Sequence, residues 1–302
     1  DNLPENGALV RKIVLDFAHL IDPSLAQWIA GNARFPATMV DRITPATTPN
    51  DIARVAAMTG LYDGAPVLHE PFRQWVIEDN FVEGVRPDFE AVGIEMVKDV
   101  TGFEQMKFRM LNGSHSALAY LGYLAGHVTV SDTVADPAFT AYVRQLWGEI
   151  MPVVRAPQGF DLHGYAQALM ERYANPKSRH RTWQIAMDGS QKLPQRLLSS
   201  LEANIAAGKP APGLCLAVAA WMYYVGGIDQ SGRPIEVKDP MAERLRALSD
   251  AANTPADKVA ALLSLSEIFP PELAETLKAP VTEAAQILWT QGARQAALQV
   301  VT

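Results

Sequence analysis

The feature that most restricts the fold of this chain is a change of sequence pattern close to Gly102. After that point apolar residues recur at helical spacing, and the alternation that is typical of strands disappears. Helices are predicted at 103–111, 115–124, 137–151, 162–173, 196–207, 214–225, 241–252, 256–263 and 271–291. Because helices of this kind must bury their apolar faces against one another, residues 101–302 are predicted to form an all-helical domain.

Residues 1–100 show a mixed pattern. Helical spacing predicts helices at 8–21, 24–30 and 51–58, and short apolar runs between turn residues predict strands at 74–77 and 94–100. A dinucleotide-binding domain has a G-x-G-x-x-G pattern that brings backbone amides close to the pyrophosphate. None of the 20 glycines falls in such a pattern. Residues 1–100 are therefore not expected to be a whole nucleotide-binding domain, and the protein is predicted to be mostly α.

Charge and cysteine content exclude several kinds of partner. The net charge of -7 disfavours nucleic acid and anionic membranes, because phosphate binding requires a basic surface. Cys215 is the single cysteine, so a disulfide framework is excluded and a reducing, cytoplasmic location is expected. Apolar runs stay shorter than the roughly 20 residues of a membrane span. We expect a monomer or homodimer with a small-molecule partner.

The segment from Phe103 to His115 contains the residues best suited to chemistry. On an α-helix of about 100° per residue, Glu104, Asn112 and His115 lie within about 140° of Lys107 on one side. These residue types suit alcohol oxidation or carbonyl reduction, because a lysine can transfer the hydroxyl proton when burial lowers its pKa. The alternative is a solvated helix face that ends at a turn at Asn112-Gly113.

The spacing Lys107-x4-Asn112-x2-His115 resembles the signature of the mannitol dehydrogenase family, the polyol-specific long-chain dehydrogenases. Three segments resemble the fructuronate reductase branch of that family, whose members are also called D-mannonate oxidoreductases. They are FRQWVIEDNF at 72–81, MKFRMLNGSHSALAYLGYLAG at 106–126 and HRTWQIAMDGSQKLPQRL at 180–197.

The resemblance implies a role for each matching residue. Lys107 corresponds to the general acid/base, and Asn2 and Asn112 to the amide pair that polarises the substrate oxygen. His115 corresponds to a substrate-positioning residue, and Glu104 to a carboxylate that gates proton exchange with solvent. Substrate-binding positions are matched by Asp41 and Lys192. Gln184 stands where the polyol branch has arginine, and Arg181 or His180 would take its place. Arg181 would suit a carboxylate, since a guanidinium can bind one in bidentate fashion.

The resemblance also implies NAD as cofactor and no catalytic metal. The family's Gly-rich segment precedes the part that matches here, so the chain is expected to be the C-terminal part of such an enzyme. Residues 1–100 would be the α/β tail of its Rossmann-type domain, with most cofactor-binding residues upstream, and residues 101–302 would be the helical substrate domain.

The implied activity is the NAD-dependent interconversion of a sugar acid or polyol and its keto form, with D-mannonate and D-fructuronate as the first candidates. A mannitol or other polyol 2-dehydrogenase is the alternative. A non-catalytic helical interaction domain is the alternative from another class.

Overall fold

The computed structural model describes residues 3–301, which divide into two compact units. The first unit runs to Lys107 and includes residues 155–158, and the second contains 108–154 and the residues from 159 onward. This division lies a few residues beyond the predicted boundary near residue 100, because helix α4 (Thr101–Met106) and Lys107 belong to the first unit.

The first unit begins with a helical hairpin, α1 (Asn6–Ile21) and α2 (Pro23–Asn32). Asp22 ends α1 and caps α2, since its carboxylate accepts a 2.8 Å hydrogen bond from the Ser24 amide. Helix α3 (Pro49–Thr59) starts at a capping box between Thr48 and Asp51. The helices predicted in this region are confirmed.

The sheet of the first unit has the order β1-β2-β3, with β1 (Thr38–Asp41), β2 (Gln74–Glu78) and β3 (Glu95–Val97). Strands β1 and β2 are antiparallel, whereas β2 and β3 are parallel. Strand β1 was not predicted from the sequence, and the strand predicted at 94–100 is shorter. The Asn6 side chain links α1 to β1, since its oxygen accepts from the Thr38 amide at 2.9 Å and its amide donates to the Thr38 carbonyl at 2.6 Å.

Short 3₁₀ turns lie at Val82–Gly84, Glu90–Val92 and Met151–Val153. The helices of the second unit are α5 (Ser114–Leu124), α6 (Val130–Ala135), α7 (Pro137–Ile150), α8 (Leu162–Tyr173), α9 (Thr182–Ile185), α10 (Gly189–Leu193), α11 (Ser199–Ala206), α12 (Pro212–Val225), α13 (Ala242–Asp250), α14 (Pro255–Leu263), α15 (Pro271–Gln291) and α16 (Ala293–Val301). Two π-helical segments, Lys107–Gly113 and Pro194–Leu198, interrupt this pattern. Helices α6, α9, α10 and α16 were not predicted.

Helix α12 forms the centre of the second unit. It packs against α5, α7, α15 and α16, and nearly all of its side chains are buried, including Trp221. A helix that is apolar on every side is expected at the middle of a helical domain. Within residues 3–301 no helix combines the length and apolarity that crossing a bilayer requires.

The N-terminus of α12 is held by a buried carboxylate. Glu149 is 6% exposed and accepts hydrogen bonds from the Gly213 amide at 2.8 Å and the Leu214 amide at 2.9 Å. These amides belong to the first turn of α12, where backbone N–H groups have no acceptor within the helix. The negative charge of a carboxylate at this end also complements the helix dipole.

We expect E149A to lower the free energy of unfolding by about 2–4 kcal/mol, because two buried amides lose their acceptor. Urea denaturation of the protein measures this loss. The control E275A changes an exposed residue of α15 and is expected to change stability by less than about 0.5 kcal/mol. An equal effect of both variants would contradict the capping role of Glu149.

Candidate active site

The predicted reactive segment contains a π-helix. Residues Lys107–Gly113 follow α4 directly and lead into α5 without a break. Because a π-helix closes hydrogen bonds from i to i+5, the arrangement calculated at about 100° per residue is wrong for the residues that follow Lys107. The alternative of a turn at Asn112-Gly113 is also wrong, since Gly113 is helical (φ -64°, ψ -55°).

Side chains satisfy the carbonyl groups of this widened turn. The Met110 carbonyl accepts from Trp147 Nε1 at 3.0 Å and from the Ser114 hydroxyl, and the Leu111 carbonyl accepts from the Tyr173 hydroxyl at 2.9 Å. Trp147 lies on α7 and Tyr173 on α8. The departure from α-helical bonding is therefore compensated by donors on two neighbouring helices.

The second π-helical segment lies against the end of the first. A Cβ atom on Gly113 would stand 2.5 Å from the carbonyl oxygen of Arg196. Since this neighbour is backbone, only a residue without a side chain fits at position 113.

In the first unit, Lys107 and Glu104 are buried, at 4% and 5% exposure. Glu104 Oε2 accepts a 3.4 Å hydrogen bond from the Glu5 amide, and its Oε1 has no hydrogen-bond partner within the described part of the chain. Burial raises the pKa of the Glu104 carboxyl, and the charge of Lys107 opposes that rise. Asp41, at the end of β1, is also buried. Asn2 lies outside the described residues.

In the second unit, His115 is 5% exposed and lies against two aromatic rings. It stacks on Tyr173 at a centroid distance of 5.2 Å and meets His180 edge to face at 4.6 Å. Burial, reinforced by the charges of His180 and Arg196, holds its pKa well below the ordinary value of 6.5. His115 is therefore neutral near pH 7, and its Nε2 has no hydrogen-bond partner among residues 3–301. Asn112 is half-buried.

The two basic candidates of the second unit differ in environment. Lys192 Nζ donates to the Met187 carbonyl at 2.6 Å and lies 3.5 Å from the Asp188 carboxylate. Burial and the charge of Arg196 lower its pKa. Arg181 is exposed and pairs with Thr129 in an isolated bridge.

Sequence reasoning did not find Arg196, which is half-buried and donates from Nη1 to the Ser116 hydroxyl at 3.0 Å. Its charge acts on His115, His180 and Lys192. The signal that could have indicated Arg196 is its place inside the 180–197 segment. The described residues contain no group of three or more His, Cys, Asp or Glu arranged to hold a metal ion.

Two family models together match most of the chain. The model of the mannitol dehydrogenase Rossmann domain matches residues 1–91, and that of the mannitol dehydrogenase C-terminal domain matches residues 99–289. The chain belongs to the mannitol dehydrogenase family. The expected combination of a Rossmann-type region with a helical C-terminal domain is thereby confirmed. The match over residues 1–91 gives no support to the expectation that the N-terminal nucleotide-binding segment is missing.

Relatives within the mannitol dehydrogenase family differ in substrate. D-mannonate oxidoreductase of Escherichia coli is 50% identical over 298 residues, which are 98% of this chain and 61% of that protein. Mannitol 2-dehydrogenase of Aspergillus fumigatus is 42% identical over 90% of this chain and 54% of the relative. The chain thus spans less than two thirds of the length of these relatives.

A solved structure of the same family is very similar. Pseudomonas fluorescens mannitol 2-dehydrogenase, in a ternary complex with NAD and D-mannitol, matches with a TM-score of 0.90 and 36% identity. The match covers 100% of this chain and 61% of that one.

We expect G113A to lower the free energy of unfolding by about 1–3 kcal/mol or more, because the new methyl group meets backbone that cannot rotate away. The control G148A places a methyl group on α7 where nothing lies within 4 Å, and it is expected to be neutral or stabilising by up to about 1 kcal/mol. Urea denaturation compares the two variants. A stable G113A protein would contradict the close approach of the two π-helical segments.

The buried histidines are expected to make stability depend on pH. Burial and the charge of Arg196 lower the pKa of His180 from 6.5 to about 4. Below pH 6.5 the unfolded chain therefore binds a proton that the folded chain does not, so stability falls as the pH drops from 6.5 towards 4. H180N is expected to reduce this fall, measured as the free energy of unfolding at several pH values. An unchanged dependence on pH would show that His180 is not responsible.

Proposed function

We propose that this chain supplies the substrate-binding and proton-transfer residues of an NAD-dependent oxidoreductase that interconverts D-mannonate and D-fructuronate. The observation that carries the proposal is the burial of Lys107, at 4% exposure, at the start of a π-helical segment. Such segments are rare and occur frequently at functional sites. The 50% identity to a D-mannonate oxidoreductase supports this choice of substrate.

The buried proton-transfer groups of the chain are suited to a reaction with a nicotinamide cofactor. The nicotinamide, when bound, accepts or supplies the hydride, and the protein must handle the accompanying proton. A buried amine at Lys107 and a buried carboxyl at Glu104, whose pKa is raised by burial, are suited to that task. The match of residues 1–91 to the family's Rossmann domain further supports NAD.

Lys107 acts in this proposal as the general acid/base. In the oxidation direction its uncharged amine takes the proton of the sugar hydroxyl while the carbonyl forms, and in reduction the ammonium returns it. An amine can accept a proton only when it is uncharged, and burial favours that form.

The resemblance to the mannitol dehydrogenase family supports the remaining roles in this proposal. The amides of Asn112 and Asn2 donate hydrogen bonds to the oxygen on which negative charge develops. His115 is neutral, and its Nε2 has no partner within the described residues, so it can position a substrate hydroxyl. Asp41 and the basic residues Lys192 and Arg181 bind the remainder of the substrate.

Glu104 passes the proton between Lys107 and solvent. The raised pKa of its carboxyl brings the proton-bearing form closer to neutral pH. A carboxyl group that changes protonation near the working pH is better suited to relay protons than one that is always ionised.

A mannitol or other polyol 2-dehydrogenase is the second candidate, because mannitol 2-dehydrogenases of the family are 42% and 36% identical to the chain. A screen that follows NADH absorbance with D-mannonate, D-mannitol and D-arabinitol separates the two candidates. Oxidation of the polyols but not of D-mannonate would favour the second.

We expect K107M to lower kcat by about 10²–10⁴-fold in the protein that carries this chain, because no group remains to take the hydroxyl proton. The methionine keeps the buried volume without the amine. The control K209M alters an exposed lysine and is expected to keep full turnover. Equal kcat values for the two variants would reject the role of Lys107.

A further inference from the structure

Arg196 is a half-buried cation that has no ion-pair partner among residues 3–301. Its Nη1 donates to the Ser116 hydroxyl at 3.0 Å, and no carboxylate of residues 3–301 lies within ion-pair distance of its guanidinium. A guanidinium has five N–H donors, so one hydrogen bond leaves most of its capacity unused. A charge removed from water normally has a counter-charge or a ligand.

Lys192 adds to the positive potential around Arg196. Lys192 lies on the preceding helix α10, and its contact with the half-exposed Asp188 is only 3.5 Å. Burial lowers the pKa values of Lys192, His115 and His180, and the charge of Arg196 lowers each of them further, so this charge reaches all three. The Asp188 carboxylate acts on Arg196 in turn, but from beyond ion-pair distance. An anion that entered this region would be attracted by the charges of Arg196 and Lys192, and the neutral histidines can donate hydrogen bonds to it.

Unpartnered polar atoms in the same region also indicate a ligand. His115 Nε2 and His180 Nδ1 are buried without a hydrogen-bond partner in the described structure, although the two rings touch. The oxygen Oε1 of Gln195, the residue before Arg196, likewise has no hydrogen-bond partner among residues 3–301. Since buried polar atoms are nearly always paired, these atoms are suited to a polar molecule.

Resting on the function proposed above, we propose that Arg196 binds the carboxylate of a sugar-acid substrate and sets the preference for sugar acids over neutral polyols. The planar guanidinium can hold two carboxylate oxygens at once, and the hydrogen bond to Ser116 fixes its orientation. The neighbouring histidine nitrogens are then available to the substrate hydroxyl groups.

Arg181 is the competing candidate for this contact. Its side chain is exposed, so water weakens its attraction for a carboxylate, whereas Arg196 acts from a partly desolvated position. The two arginines lie on opposite sides of the Asp188-Gly189-Ser190 segment in the sequence, and their variants can be compared directly.

The test compares kcat/KM for D-mannonate and D-mannitol in R196Q, R196K and R181Q, with R144Q at an exposed position on α7 as the matched control. We expect R196Q to lower kcat/KM for D-mannonate by about 100-fold or more and to change that for D-mannitol by less than about 3-fold. R196K should recover part of the lost kcat/KM for D-mannonate, because lysine keeps the positive charge but cannot bind both carboxylate oxygens as the planar guanidinium does. R144Q should resemble the unmodified protein.

Three outcomes would overturn the assignment. They are an equal loss for both substrates in R196Q, a selective loss in R181Q instead, and an unchanged preference in R196Q. D-Mannitol turnover in R196Q shows that the variant is folded.

Calorimetric titration of D-mannonate separates this inference from the proposed reaction. Absence of turnover with every sugar acid and polyol would reject the proposed function. The carboxylate site would still be supported if D-mannonate bound the unmodified protein and failed to bind R196Q, and it would be rejected if both bound equally.

Discussion

The hydrogen bonds that stabilise the π-helical turn before α5 connect this turn to helices α7 and α8 of the second unit. A widened turn costs regular backbone hydrogen bonds, so it persists only where other donors replace them. Trp147 and Tyr173 supply those donors, from α7 and α8. Tyr173 also stacks on His115, so the residue that stabilises the widened turn also positions the ring of a candidate site residue.

The second π-helical segment carries the guanidinium of Arg196, which lies near the start of α5. Gly113 permits the backbone at Arg196 to approach closely, and Arg196 in turn donates to Ser116 in the first turns of α5. Burial keeps His115 and His180 neutral, and the proximity of this guanidinium reinforces the effect, because a second positive charge nearby is unfavourable. Neutral histidines can both donate and accept hydrogen bonds, which suits them to sugar hydroxyl groups.

The sequence predicted long helices well because caps and apolar spacing are local signals. Helices α2 and α3 start at the local caps Asp22 and Thr48, and the apolar residues of α12 form one uninterrupted helical run. Strand β1 and the short helices α9 and α10 were not predicted, because elements of four or five residues are too short to show a periodic pattern. The π-helical turn could not be predicted either, since its cause lies in donors at Trp147 and Tyr173, far away in the sequence.

The candidate site shows the same division between local and distant information. The motif that contains Lys107, Asn112 and His115 is contiguous, so the resemblance to the mannitol dehydrogenase family is evident from one segment. Arg196 is 80 residues from Ser116 along the chain, so its position near the other candidate residues of the second unit is apparent only in the folded structure. In a linear sequence Arg181 and Arg196 are two cations near the same motif. In the fold Arg181 is solvated, whereas Arg196 is half-buried near polar atoms that have no partner in the described part of the chain. Desolvation, which the sequence does not display, therefore decides which of the two can discriminate a charged substrate from a neutral one.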